Sequence, residues 1–209
     1  MRRRRRLART LVTLAVAAAL TVVTVHLLSP GRPLSPLRQR IVAIAEAQVG
    51  YQTAPSDTYC NRFSAHWYSG RSCGNGNWQE EWCADFAAWV WQQAGAEVTY
   101  QYVNGDLNSS SASFFEWGEA HGTWHPVGSH YVPQPGDVAV YGLDATALTA
   151  QHVAVVTAVP PGQRGPDVVN GDGDRTGFSA VETGTDQVDA DVQGRGDPLS
   201  GYVAPSAPS

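Results

Sequence analysis

The run EEWCADFAAWVWQQAG at residues 80–95 decides how the rest of this chain folds. From Cys83 onward its Ala, Phe, Trp and Val leave almost no polar face before Gln92, and Gly95 supplies the left-handed residue that commonly ends helices. The run therefore predicts a largely buried helix with Cys83 at its start, and a buried helix needs a layer to pack on. That layer is expected downstream. Pro135-Gly136-Asp137 turns into VAVYG, HVAVVTAV runs from His152, VVN ends at Asn170, and FSAVETG and SGYVAP follow. All are strand-type runs rich in β-branched residues and bounded by Gly and Pro. Upstream, Leu37, Ile41, Ile44, Ala45 and Val49 recur at helical spacing up to Gly50, and another helix is expected near residues 112–120, capped by one of Ser109, Ser110 and Ser111. Helices first and strands second predict an α+β domain.

A chain of 209 residues can bury the core of one ordinary domain. With 43% hydrophobic and only 16% charged residues it is not a disordered polymer. All 14 basic residues are Arg; six precede residue 10, and residues 1–30 hold no Asp or Glu. The remainder carries eight Arg against 19 acids, a net −11, which repels phosphate backbones and argues against nucleic acid as a partner.

The arginines have a better explanation. Residues 11–28, LVTLAVAAALTVVTVHLL, follow them as 18 uncharged and mostly apolar positions, which predicts a membrane-inserting segment. Residues 1–10 would stay on the cytoplasmic side and everything after residue 30 would be exported. Residues 29–40 contain no Ala to form a small-x-small cleavage site, so a signal-anchor is preferred over a removed signal peptide. A Pro/Gly/Ser linker at 29–36, a domain at 37–204 and a low-complexity tail at 205–209 complete the organisation.

Three cysteines in an exported protein leave one unpaired. Cys60 and Cys73 flank a polar, glycine-bearing loop that a disulfide could close, worth about 3 kcal/mol in the chain-entropy picture. Cys83 would then be the lone thiol, at a helix start where the dipole should lower its pKa. A free thiol in an oxidising compartment is a liability, so a chemical role is expected. A thiolate nucleophile needs a base and a group to orient that base. Among the six His, His26 lies in the apolar run and His66 between the paired cysteines; His121, His125 and His130 have a spacing that could suggest zinc, but Gly122 and Pro126 interrupt any helix aligning them. His152, opening an apolar strand, is set at a sheet edge by a rigid element.

The segments EEWCADFAAWVWQQAG, PQPGDVAVYG, QHVAVVTAV and VVNGDGD, in that order, resemble the CHAP domain, the cysteine- and histidine-dependent amidohydrolases and peptidases. The resemblance runs over about residues 37–205 and implies a papain-like α+β fold, with the cysteine at the start of a helix packed on an antiparallel sheet, and a hydrolase acting on peptidoglycan amide bonds; some relatives bind calcium, but no cofactor or metal is expected in this chain. By position it makes Cys83 the nucleophile, His152 the general base and Asn170 the group orienting His152. Many members carry Glu two residues before that Asn, where this chain has Val168.

Trp78 and Trp82, beside the nucleophile, are expected to line a substrate groove, and Trp89 and Trp91 to pack in the core. The Cys83 N–H, with Asn77 or Gln79 as a side-chain donor, is the candidate oxyanion hole. Asp85 reads as a first-turn acid of the helix. Residues 170–174, NGDGD, begin like a calcium loop, but Arg175 and Val181 stand where such a loop needs Gly and Glu, so a solvated turn is expected. Two rival readings are an NlpC-type cell-wall peptidase, which shares the Cys/His chemistry, and a non-enzymatic envelope protein with a degenerate papain-like fold.

Overall fold

The computed structural model describes residues 33–55, 59–68, 73, 81–173 and 179–207. The N-terminal arginines and apolar run, Trp78, Asn77 and Gln79 lie outside them. Ser35–Ser209 forms one compact unit.

Helix α1, Pro36–Glu46, starts where sequence chemistry favours it: Ser35 accepts the Arg38 N–H at 3.3 Å, and Pro36 opens the first turn. It buries Ile41 and Ala45. Helix α2, Arg62–Tyr68, was not anticipated from the sequence. It lies inside the loop closed by the Cys60–Cys73 disulfide, and Asn61 caps it by accepting the N–H groups of Phe63 and Ser64 at 2.9 and 2.8 Å. Helix α3, Cys83–Ala94, ends at Gly95 in the left-handed conformation (φ 83°), whose N–H returns to the Gln92 carbonyl. Helix α4, Ala112–His121, ends likewise at Gly122.

The strands β1 (Trp124–Pro126), β2 (Val138–Tyr141), β3 (His152–Ala158), β4 (Asp167–Gly173), β5 (Ala180–Gly184), β6 (Asp189–Ala190) and β7 (Asp197–Val203) form one antiparallel sheet. Its order is β1-β7-β2-β3-β4-β5, with β6 beside β7. Alternation along the strands separates two faces. Val138, Val140, Val153, Val155 and Val169 join Phe86, Trp91 and Phe114 in the core under the helices. Ala139, Tyr141, Ala154, Val156 and Val168 form a smaller cluster on the opposite face. This is the α+β arrangement of helices on an antiparallel sheet that the sequence led us to expect.

The PQPGD turn owes its form to a buried charge. Asp137 is fully buried and accepts from Arg38 at 2.7 Å, from the Tyr131 hydroxyl at 2.8 Å and from the Gln134 N–H at 2.8 Å. The Trp91 indole N–H bonds to the Gly136 carbonyl at 3.1 Å, which ties the turn to α3.

One expectation is corrected in β4. The stretch after Asn170 is not a solvated turn: the strand continues to Gly173, and Asp172 is drawn inward instead of facing water. The reason is steric and local. Gly171 lies so close to α3 that a Cβ there would fall 2.4 Å from the Phe86 Cβ, so only glycine lets β4 run this far against the helix.

Candidate active site

Cys83 is the first residue of α3 and only 4% exposed. Its Sγ lies 3.2 Å from the Ser111 Oγ and receives the Val153 N–H, so the sulfur sits where the helix start meets the start of β3. Cys60 and Cys73 are bridged, and Cys83 is the free thiol.

His152 opens β3, paired across the ladder with Tyr141, and is buried. Its Nε2 lies 2.9 Å from the Asn170 Oδ1, reached from the adjacent strand β4. An amide oxygen can only accept, so Nε2 is assigned the hydrogen and Nδ1 is the basic nitrogen of the neutral ring. Gly184 on β5 gives the amide room: a Cβ there would stand 3.3 Å from the Asn170 Nδ2. Cys83, His152 and Asn170 line one cleft of about 720 Å³, together with Glu81, Asp172 and Tyr59.

The electrostatics differ from the sequence expectation for the thiol. Burial pushes the Cys83 pKa up to about 12, and the Asp172 and Glu81 carboxylates push the same way. The Ser111 hydroxyl and the Val153 N–H oppose them without reversing the sign. A helix dipole contributes at most the equivalent of about one or two pKa units, less than the burial of a charge in an almost water-free position. The resting residue is therefore a thiol, and its activation has to come from a base.

Asp172 was read as part of a calcium-like turn and has another role. Its Oδ2 accepts the Trp82 backbone N–H at 3.0 Å, its Oδ1 accepts the Ser179 hydroxyl, and the Ser179 Oγ accepts the Trp82 indole N–H at 2.7 Å. This ring caps α3 from outside the helix, one residue before the nucleophile. Burial raises the Asp172 pKa to about 6, against the pull of those donors. Asn170 and Asp172, two apart on β4, thus serve opposite members of the site, one holding His152 and the other the start of α3. The two-residue spacing in the sequence was the available signal.

Trp82 does not line the groove, and that expectation is corrected. It is fully buried, stacked on Phe63 with ring centroids 5.5 Å apart. The indole N–H is satisfied inside the protein by Ser179, so nothing draws it to the cleft. Trp91 is buried and Trp89 half-buried against the core. Asp85, in the first turn of α3, is buried too and accepts the Tyr100 hydroxyl. His121 stacks on Trp117 at 3.7 Å and His125 on Tyr131 at 3.6 Å, each on a different element. Among the described residues there is no cluster of three metal-ligating side chains.

With this geometry in hand, residues 74–170 match the family model of the CHAP domain, a match that begins just before α3 and ends at Asn170. That match covers just under half of the chain and agrees with the CHAP resemblance read from the sequence. Two solved structures, NlpC2 and NlpC1 from Trichomonas vaginalis, are similar at 10% and 12% identity, with TM-scores of 0.43 and 0.41. The alignments cover 83% and 84% of this chain and 48% and 46% of those chains, so this protein spans about half their length. A comparison with curated proteins found no match.

Proposed function

We propose that this protein is an exported peptidoglycan hydrolase that cleaves an amide of the peptide stem or cross-bridge by cysteine nucleophilic catalysis. The observation that carries the reading is the 2.9 Å contact between His152 and Asn170 in a cleft that Cys83 also lines. Asn170 holds the ring with Nε2 protonated, which keeps Nδ1 basic. As the Cys83 sulfur forms its bond to the amide carbon, the thiol proton passes to His152 and the carbonyl π pair moves to oxygen. The Cys83 N–H, a first-turn donor without an intrahelical acceptor, is the candidate partner for that oxyanion. The imidazolium then protonates the departing amine as the C–N bond breaks. A water deprotonated by His152 attacks the thioester, releasing the acid and restoring the thiol.

Export rests on the arginine run and the apolar segment at residues 11–28. The Cys60–Cys73 disulfide favours the same oxidising side of the membrane. No helix among the described residues is long and apolar enough to cross a membrane, so anchoring would fall to that N-terminal segment. Cell fractionation tests it: the full chain should sediment with membranes and expose its C-terminus outside, and a soluble exported form lacking residues 1–30 would overturn the anchor.

The decisive test of activity is the release of new amino groups from purified sacculi. Wild type should release them and Cys83→Ala should not, while remaining folded. Release by Cys83→Ala would refute the cysteine mechanism, and no release by wild type would favour a binding protein. Mass spectrometry of the new termini separates an amidase from an endopeptidase.

A further inference from the structure

Ser111 stands at the start of α4, where a serine hydroxyl ordinarily caps the helix. It does not do so here. Its side chain makes no capping bond, and the loop is instead secured by Asn108. The Asn108 Oδ1 accepts the Ser110 N–H at 2.9 Å, while the Ser113 hydroxyl bonds the Asn108 carbonyl and accepts its N–H at 3.2 and 3.1 Å. With the cap assigned elsewhere, the buried Ser111 hydroxyl faces the Cys83 sulfur at 3.2 Å. Cys83 and His152 line the cleft and Ser111 does not, so its hydroxyl meets the sulfur from outside the set of cleft-lining side chains.

We propose that Ser111 is a catalytic residue: its hydroxyl holds the Cys83 sulfur through proton transfer and donates its hydrogen to the thiolate that forms. A hydroxyl suits this role because it can accept from S–H in the resting state and, after rotating, donate to the thiolate once the proton has moved to His152. The need follows from what surrounds the sulfur. From the segment before α3 comes the Glu81 carboxylate, from β4 the Asp172 carboxylate, and from β3 the His152 ring and the Val153 N–H. Two negative groups and burial oppose a third negative charge there. The Val153 N–H and the Ser111 hydroxyl are the two donors that favour it.

The inference rests on the nucleophilic role proposed for Cys83, and its test separates the two. The rate of Cys83 alkylation by iodoacetamide is followed against pH in the wild type, Ser111→Ala and Ser111→Thr, alongside the kcat and KM of sacculus hydrolysis. A hydrogen bond to an ionised group shifts the thiolate fraction about ten- to a hundredfold, and the greater nucleophilicity of the more basic sulfur returns about half of that on a logarithmic scale. Ser111→Ala should therefore slow alkylation at fixed pH about three- to tenfold. It should lower kcat with KM unchanged, and Ser111→Thr, which keeps the hydroxyl, should recover most of both. An unchanged alkylation profile in Ser111→Ala would overturn the proposal, as would equal losses in the two variants, which would show a packing role. If the wild type cuts no peptidoglycan while Ser111→Ala still alkylates slowly, the functional reading fails and the Ser111–Cys83 coupling stands.

Discussion

Replacing Gly171 by alanine tests how closely β4 must approach the catalytic helix. The added Cβ would lie 2.4, 2.7 and 2.9 Å from the Cβ, Cγ and Cδ1 of Phe86, against 3.4 Å or more for ordinary contact, so strand and helix must part by about 1 Å. Phe86 is fully buried and cannot swing aside, which places the change among overpacked core substitutions costing about 1–3 kcal/mol. For a domain of this size each kcal/mol lowers Tm by about 2–4 °C, so a fall of about 2–12 °C is expected by calorimetry. Activity should fall further. Gly171 separates Asn170 from Asp172, and a 1 Å retreat of β4 stretches the 2.9 Å His152–Asn170 bond beyond bonding distance. Displacements of this size lower kcat about a hundredfold. Because the nearest clashing atom is the Phe86 Cβ, adding Phe86→Ala leaves the worst contact in place and should restore neither property. A Gly171→Ala protein within about 0.5 kcal/mol of wild type and with full hydrolysis would refute the argument, since 0.5 kcal/mol is the usual effect of a surface change.

Three further outcomes follow from the same geometry. With its pKa near 12, Cys83 should react with iodoacetamide at pH 7 about a hundredfold more slowly than an ordinary cysteine, with a rate still climbing above pH 9; a plateau below pH 8 would reveal a preformed thiolate–imidazolium pair and contradict the electrostatics described. Asp172 binds its proton more tightly folded (pKa about 6) than unfolded (about 4), so stability should fall as pH rises from about 4 to 6, by roughly 3 kcal/mol at most. Chemical denaturation across that window should show this slope reduced in Asp172→Asn, and an unaltered slope would remove Asp172 as its source. Asn170→Ala should keep measurable hydrolysis with kcat reduced, because an orienting group tunes the histidine without entering covalent chemistry; wild-type rates would take it out of the site.

Local pattern carried much of this structure, and non-local partners decided the rest. The apolar run from Cys83 to Gly95 and the strand from His152 declare themselves by composition and period, and both lie where that reading puts them. The odd cysteine was legible because the other two close a short loop. Helix α2 was not: seven residues are too few for a periodic signal, and its stability comes from the Asn61 cap, the disulfide and the stack of Trp67 on Tyr100, a residue 33 positions away. The same limit explains Trp82. Whether a tryptophan beside a nucleophile faces a groove or the core depends here on Phe63 and Ser179, which no local pattern connects to it. In the run Ser109-Ser110-Ser111 nothing local marks the serine that stands at the helix start and reaches the sulfur instead of capping.

The raised thiol pKa also bears on how such a site could survive where it is proposed to work. Oxidation of cysteine, like alkylation, proceeds through the thiolate. Burial holds the Cys83 pKa far above that of an ordinary thiol, so little thiolate is present near neutral pH and the sulfur beside Asp172 and Glu81 is slow to oxidise. The same burial that protects it would stop catalysis if the thiolate had to exist beforehand. It need not, when His152 takes the proton as the sulfur attacks and the negative charge passes progressively from the sulfur to the carbonyl oxygen. The two carboxylates then act against the resting thiolate more than against the transition state, because in the transition state much of the charge has moved toward the carbonyl oxygen, and the part left on sulfur is what the Ser111 hydroxyl and the Val153 N–H stabilise. Removing their influence without removing a base should therefore make Cys83 easier to alkylate and to oxidise while leaving hydrolysis little improved, so that the acidic surroundings govern the survival of the nucleophile more than its speed.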